Sequence, residues 1–170
     1  MNTVRHLLKN WLPLFIWMAL IFIASTDRGS PAHTSHFIDP FLRWLLPTAS
    51  EVSLDRLHLL IRKSAHLAEY AALGLVLFRA IGSTYRGALR DRRWKIASLA
   101  LGLAALYAAG DEFHQSFVPS RHASAYDVLI DICGAMIGIA MIFAFGKRTD
   151  ETDVSPEGDP IRSQACSTPL

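Results

Sequence analysis

Apolar residues along the chain gather in four blocks, at positions 12–25, 65–77, 96–110 and 128–145. The third block holds no charge and the fourth holds one, Asp131. A helix of roughly 20 apolar residues crosses a bilayer, and each block reaches about that length once its flanks are added. The pattern predicts membrane-crossing helices over roughly residues 8–26, 64–82, 94–113 and 127–146, and hence an all-α membrane bundle. Between the first two, Phe37, Phe41, Trp44 and Leu45 recur at helical spacing, with Arg43 off their stripe. They predict a short amphipathic helix lying on the membrane outside the cytoplasm; a loop packed over the bundle is the alternative. Leu54, Leu57, His58 and Ile61 continue a helical apolar face that runs directly into the second span. Thr48 with Glu51, and Ser124 with Asp127, fit capping boxes at two helix starts. Pro13 is read as lying in the first turns of its helix, where a missing N–H costs least, and Trp11 and Trp17 suit headgroup level.

Composition supports the membrane setting. Of 170 residues, 51% are apolar, and the mean hydropathy is +0.25. The net charge of +2 says little, but its placement says more. Arg5 and Lys9 precede the first span, Arg86, Arg90, Arg92, Arg93 and Lys95 fill the connection between the second and third, and Lys147 and Arg148 follow the fourth. These regions fall on one side of an alternating weave, so both termini are expected in the cytoplasm. Arg28, Arg43, Arg56, Arg62 and Lys63 in the first loop run against that assignment. The first span is read as uncleaved, because its apolar core is long for a signal peptide and no clear cleavage site follows. Residues 1–146 form the expected membrane domain, and the polar residues 147–170 a disordered cytoplasmic tail. Cys133 and Cys166 suggest no disulfide framework. Membrane lipids are the expected partners; nothing points to nucleic acid, and no cofactor is assigned.

The chemistry is concentrated near the ends of the apolar blocks. Lys63, His66 and Tyr70 share a face at the start of the second span, with Glu69 beside them. Asp111, His114 and Gln115 share a face at the end of the third, with Glu112 pointing elsewhere. Arg121 follows in a short connection, and Asp127 and Asp131 share a face of the fourth span, where Gly134 and Gly138 allow close helix contact. In an alternating weave these three helix ends lie at one membrane face. The expectation is a shared polar pocket at the extracytoplasmic end.

Four readings of that pocket stay open. Acids paired with Arg121, Lys63 and the histidines could simply hold the bundle. The pocket could act on a lipid-linked headgroup, with Arg121 and Lys63 on a phosphate and Glu112 or His114 as acid or base. His66, Glu69, Glu112 and His114 could ligate a metal ion, although their spacing matches no tight template. Intramembrane acids also suit a proton- or ion-coupled carrier.

The series Arg62-Lys63-x-x-His66-x-x-Glu69-Tyr70-x-x-x-Gly74, Asp111-Glu112-x-His114-Gln115-x-Phe117-Val118-Pro119-x-Arg121 and Asp127-x-x-x-Asp131-x-x-Gly134-x-x-x-Gly138 resembles the VanZ-like family of integral membrane proteins over roughly residues 14–145. Two positions depart from the family pattern: Ser120 stands where Gly is expected and Asp131 where Asn is usual. The resemblance implies a multi-helix bacterial membrane protein. With the polar pocket, the expectation for this chain is a multi-pass protein of the cytoplasmic membrane, acting in the cell envelope on a lipid-linked or amphiphilic molecule. The alternative is a non-enzymatic protein that binds a lipid or partner. The family's founding member is associated with low-level resistance to the glycopeptide teicoplanin. The resemblance also implies the importance of His66, Glu69, Asp111, Glu112, His114, Gln115, Arg121 and Asp127.

Overall fold

A computed structural model describes residues 2–26, 31–85, 89–119 and 124–146, which form five helices: α1 (Asn2–Ser25), α2 (Pro31–Leu45), α3 (Glu51–Thr84), α4 (Leu89–Gln115) and α5 (Ala125–Phe145). Arg121, Ser120 and the tail 147–170 lie outside the described residues. α1, α3, α4 and α5 are each long and apolar enough to cross a membrane. Their outward faces carry Leu20, Leu106, Leu129 and Phe145, all exposed, while carboxylates are buried inside. That distribution inverts a soluble fold and suits hydrocarbon outside.

α1 begins at Asn2 rather than near residue 8, which places Pro13 in the helix interior. Its missing N–H leaves the Lys9 carbonyl without its usual intrahelical donor. The helix is tied to the bundle by polar side chains instead. The Trp11 indole donates to Thr84 Oγ1 at 3.3 Å, the Trp17 indole to the Glu69 carbonyl at 2.9 Å, and the Tyr107 hydroxyl to the Met18 carbonyl at 2.6 Å. Trp17 is thus a tie within the bundle.

The stretch around Phe41 and Trp44 is a helix, α2, opened by Pro31 at a position where its missing N–H costs nothing. Leu42 is buried, whereas Phe41, Trp44 and Leu45 face outward. α2 lies along the start of α3, joined by an Asp39–His58 contact of 2.5 Å and an Arg43–Glu51 ion pair of 2.8 Å. The cap of α3 is Ser50, whose hydroxyl accepts from the Ser53 backbone N–H; the expected Thr48–Glu51 box does not form, because Glu51 turns to Arg43. α3 runs without a break through 34 residues, about 51 Å, well beyond the roughly 30 Å of a hydrocarbon core. Its first turns therefore overhang the bundle.

The tightest seam joins α3 to α5, which run parallel. A Cβ added to Gly74 would meet the Ala135 carbonyl oxygen at 2.5 Å, and one on Gly134 or Gly138 would strike the carbonyl of Leu67 or Ala71. No side chain fits, so the backbones touch. α4 packs through an alanine stripe, Ala97, Ala100, Ala104 and Ala108, all buried. This close approach brings the polar ends of α3, α4 and α5 to one level.

Candidate functional site

Two polar groups meet at that level. In the first, α1 and α4 end side by side. Ser25, the last residue of α1, donates from Oγ to Asp111 Oδ2 at 2.7 Å. Gln115, one turn beyond Asp111, donates from Nε2 to the same oxygen at 3.1 Å and to Ser25 Oγ at 3.3 Å.

In the second, α3, α4 and α5 converge. Lys63 pairs with Asp127, and His66 Nδ1 lies 3.4 Å from Asp131 Oδ1, inside ion-pair range without hydrogen-bond geometry. The parallel α3–α5 seam sets this ladder, since positions 63 and 127 and positions 66 and 131 advance together. Ser124 caps α5 by accepting from the Tyr126 backbone N–H. Asp127 does not reach back to complete the expected box. The Ser124 backbone N–H goes instead to Glu112 Oε1 of α4, at 2.5 Å. A helix start is thereby satisfied by a carboxylate from another helix, which also suits the positive end of the α5 dipole.

Burial makes the cluster costly. Asp111, Glu112, Asp127 and Asp131 are all buried, Asp131 at 1% exposure. Asp111 Oδ1, Gln115 Oε1, both Asp131 oxygens and the Tyr70 hydroxyl are buried without a hydrogen-bond partner among the described residues. Each such group destabilises the fold by roughly 1–3 kcal/mol, and more if charged. Tyr70 is wholly buried in the same interior, its ring 6.4 Å from that of Tyr107. Five carboxylates, of Glu69, Asp111, Glu112, Asp127 and Asp131, thus share this level with Lys63 and His66.

The structure brings together Lys63, His66, Glu69, Asp111, Glu112, Gln115, Asp127 and Asp131. His114 stands apart: its ring lies against Phe22 of α1, 4.8 Å between centroids. Glu112 and His114 therefore face different sides of α4, as a two-residue offset on a helix requires. Among the described residues, no three His, Cys, Asp or Glu side chains come together as metal ligands. Lys63, expected to meet a phosphate, already meets Asp127.

Sequence reasoning passed over Ser25 and gave Tyr70 no role. The alternating weave puts Ser25, at the end of α1, level with Asp111 near the end of α4. Also unanticipated is a groove of about 410 Å³ between α1, α3 and α4. Its walls include Leu14, Phe15, Met18, Leu73, Leu77 and Leu106, and it ends at Asp111 and His114.

Four membrane-length helices around a buried acidic cluster define a small multi-pass membrane protein. Residues 10–146 match the family model described as VanZ/LLP1, and the chain belongs to that family. No curated protein and no solved structure matches it.

Proposed function

We propose that this VanZ-like protein works in the bacterial cell envelope, and that its polar cluster receives the head of an amphiphilic or lipid-linked molecule at the extracytoplasmic end of the bundle. The observation that carries this reading is the set of unpartnered buried acceptors and hydroxyl on Asp111, Gln115, Asp131 and Tyr70, gathered at one level. A cluster serving only as glue would be expected to close its own hydrogen bonds. The orientation is supported by Arg5, Lys9, Arg93 and Lys95, which lie at the opposite end of the helices and favour the cytoplasm there. The outward-facing Phe41, Trp44 and Leu45 of α2 suit an interfacial seat beside the cluster.

Chemistry in the cluster would fall to Glu112, held by the Ser124 N–H, and Asp111, held by Ser25 and Gln115, as positioned acid or base groups. The Lys63–Asp127 pair favours a second reading, in which the cluster binds without reacting and part of it is a structural tie. One paired measurement in whole cells separates the readings. Glu112→Gln and Asp111→Asn keep shape and remove charge. If they abolish a change in susceptibility to teicoplanin or other envelope-active compounds while membrane levels hold, the cluster is a functional site. If levels and phenotype fall together, it is glue. If the unaltered protein gives no phenotype, the founding member's resistance does not extend to this chain.

A further inference from the structure

The groove beside the cluster is about as long as the acyl chain of one membrane leaflet, and it runs along the middle of the first span, Leu8–Ser25. Its α1 wall runs from Trp11 to Phe22, about 17 Å along the helix, against roughly 15 Å for half a hydrocarbon core. Its volume of about 410 Å³ falls among ligand sites of roughly 300–1,000 Å³. Nearly all of its wall is apolar; Asp111 and His114 stand at the end level with the cluster, and Tyr107, whose hydroxyl donates to the Met18 carbonyl, lies one turn before Asp111. Asp111 is itself buried, and its Oδ1 has no partner.

We infer that this groove binds a single acyl chain of an amphiphile from the extracytoplasmic leaflet, whose head donates a hydrogen bond, from a hydroxyl or ammonium group, at the Asp111–His114 end. This rests on the proposed function and names its ligand class. Lipid tails are as apolar as the groove, so chain contact alone brings no preference over bulk lipid. Selectivity must come from the polar end. Among the described residues the groups at that end are an acceptor on Asp111 and the His114 imidazole, no Lys or Arg lines the groove, and Lys63 is committed to Asp127. A donor head fits this end, and a bare phosphate does not.

Two glycines on α4 provide the test. Gly110 lines the groove, Gly102 does not, and a Cβ on either meets nothing within 4 Å. A side chain can therefore start at either position without striking a neighbour; Gly110→Leu puts its bulk into the groove, and Gly102→Leu adds the same bulk elsewhere on the helix. The full-length protein, in vesicles of neutral phospholipid, is photolabelled with a long-chain primary amine bearing a mid-chain diazirine, and with the methyl ester of matching length. The amine is expected to label Phe15, Met18 or Leu106 in preference to the ester. Gly110→Leu lowers that labelling about tenfold, about 1.4 kcal/mol of binding, and Gly102→Leu leaves it unchanged. Labelling spread over the outward faces of all four helices, equal for both probes and both variants, would mean annular lipid only and would overturn the proposal. The susceptibility phenotype of Glu112→Gln is read separately, so the groove can fail while the cluster stands, and the reverse.

Discussion

Replacing Lys63 by Met removes the cation that Asp127 meets in the α3–α5 seam. The Asp127 side chain is 12% exposed and that of Lys63 37%. Breaking a fully buried pair costs about 3–5 kcal/mol because it strands a charge, whereas an exposed pair contributes only about 0–1 kcal/mol. This pair sits between those limits, and its two ends are unequal. Lys63→Met leaves the better buried partner alone and is expected to cost about 2 kcal/mol. Asp127→Asn leaves an ammonium that can reach water, and should cost about 1 kcal/mol or less. The double variant carries no stranded charge, so it should be more stable than the sum of the single losses by about 1 kcal/mol or more, within the range for contacting residues. Thermal melts of the purified full-length protein in one detergent measure all four corners. Strictly additive losses, or a larger loss for Asp127→Asn than for Lys63→Met, would refute the assignment of this pair as a buried, asymmetric tie.

Three further outcomes follow from the packing and the hydrogen bonds. Gly138→Ala forces a Cβ into the Ala71 carbonyl and should destabilise by about 1–3 kcal/mol, while Gly102→Ala, in open space, should be neutral or stabilising by up to about 1 kcal/mol; equal melts for the two would show that the seam is looser than described. Ser25→Ala takes a donor from Asp111 Oδ2 and should cost about 1–2 kcal/mol in the same assay, with no loss if the α1 terminus is not docked. Asp131→Asn relieves a buried carboxylate that has no hydrogen bond, so its melting temperature should stay level or rise; a fall would show that the charge opposite His66 is needed.

The four spans were legible because their signal is additive. Many apolar residues in a row outweigh any single polar one, and the ends came out within a few residues for α4 and α5. The first span, expected over 8–26, agrees with the membrane-length stretch Leu8–Ser25, but the helix itself extends back to Asn2, so Pro13 lies in its interior and not in its first turns. The capping boxes failed for one shared reason. Glu51 and Asp127 found cations, Arg43 and Lys63, on neighbouring helices, and no local pattern reveals a tertiary competitor for a carboxylate. The convergence of His66, Glu112, Asp127 and Asp131 followed from topology alone, since alternation puts those ends at one level. The separation of His114 from Glu112 followed from helical geometry, but the sequence did not say which of the two would face the cluster. That depended on where α1 docks, and α1 carries no charge within its apolar run to mark a face. The groove was invisible for the same reason, because its walls are ordinary apolar positions.

The balance of charge narrows what the cluster can hold. Asp127 is met by Lys63, Asp131 faces His66 across 3.4 Å, Glu112 is met by a backbone N–H, and Asp111 by a hydroxyl and an amide. Among the described residues, one of these four carboxylates meets a Lys or Arg side chain and one faces an imidazole, with Glu69 within range of the same histidine. An anionic head would add repulsion to a region already rich in acids, in a medium where such repulsion is weakly screened. A head bearing hydroxyl or ammonium donors would suit Asp111 Oδ1, Gln115 Oε1 and the Asp131 oxygens, the atoms that have no partner among the described residues. The same atoms that make the cluster expensive to fold are those that would bind such a head, which is why loss of charge at Asp111 or Glu112 should weaken function before it weakens the bundle.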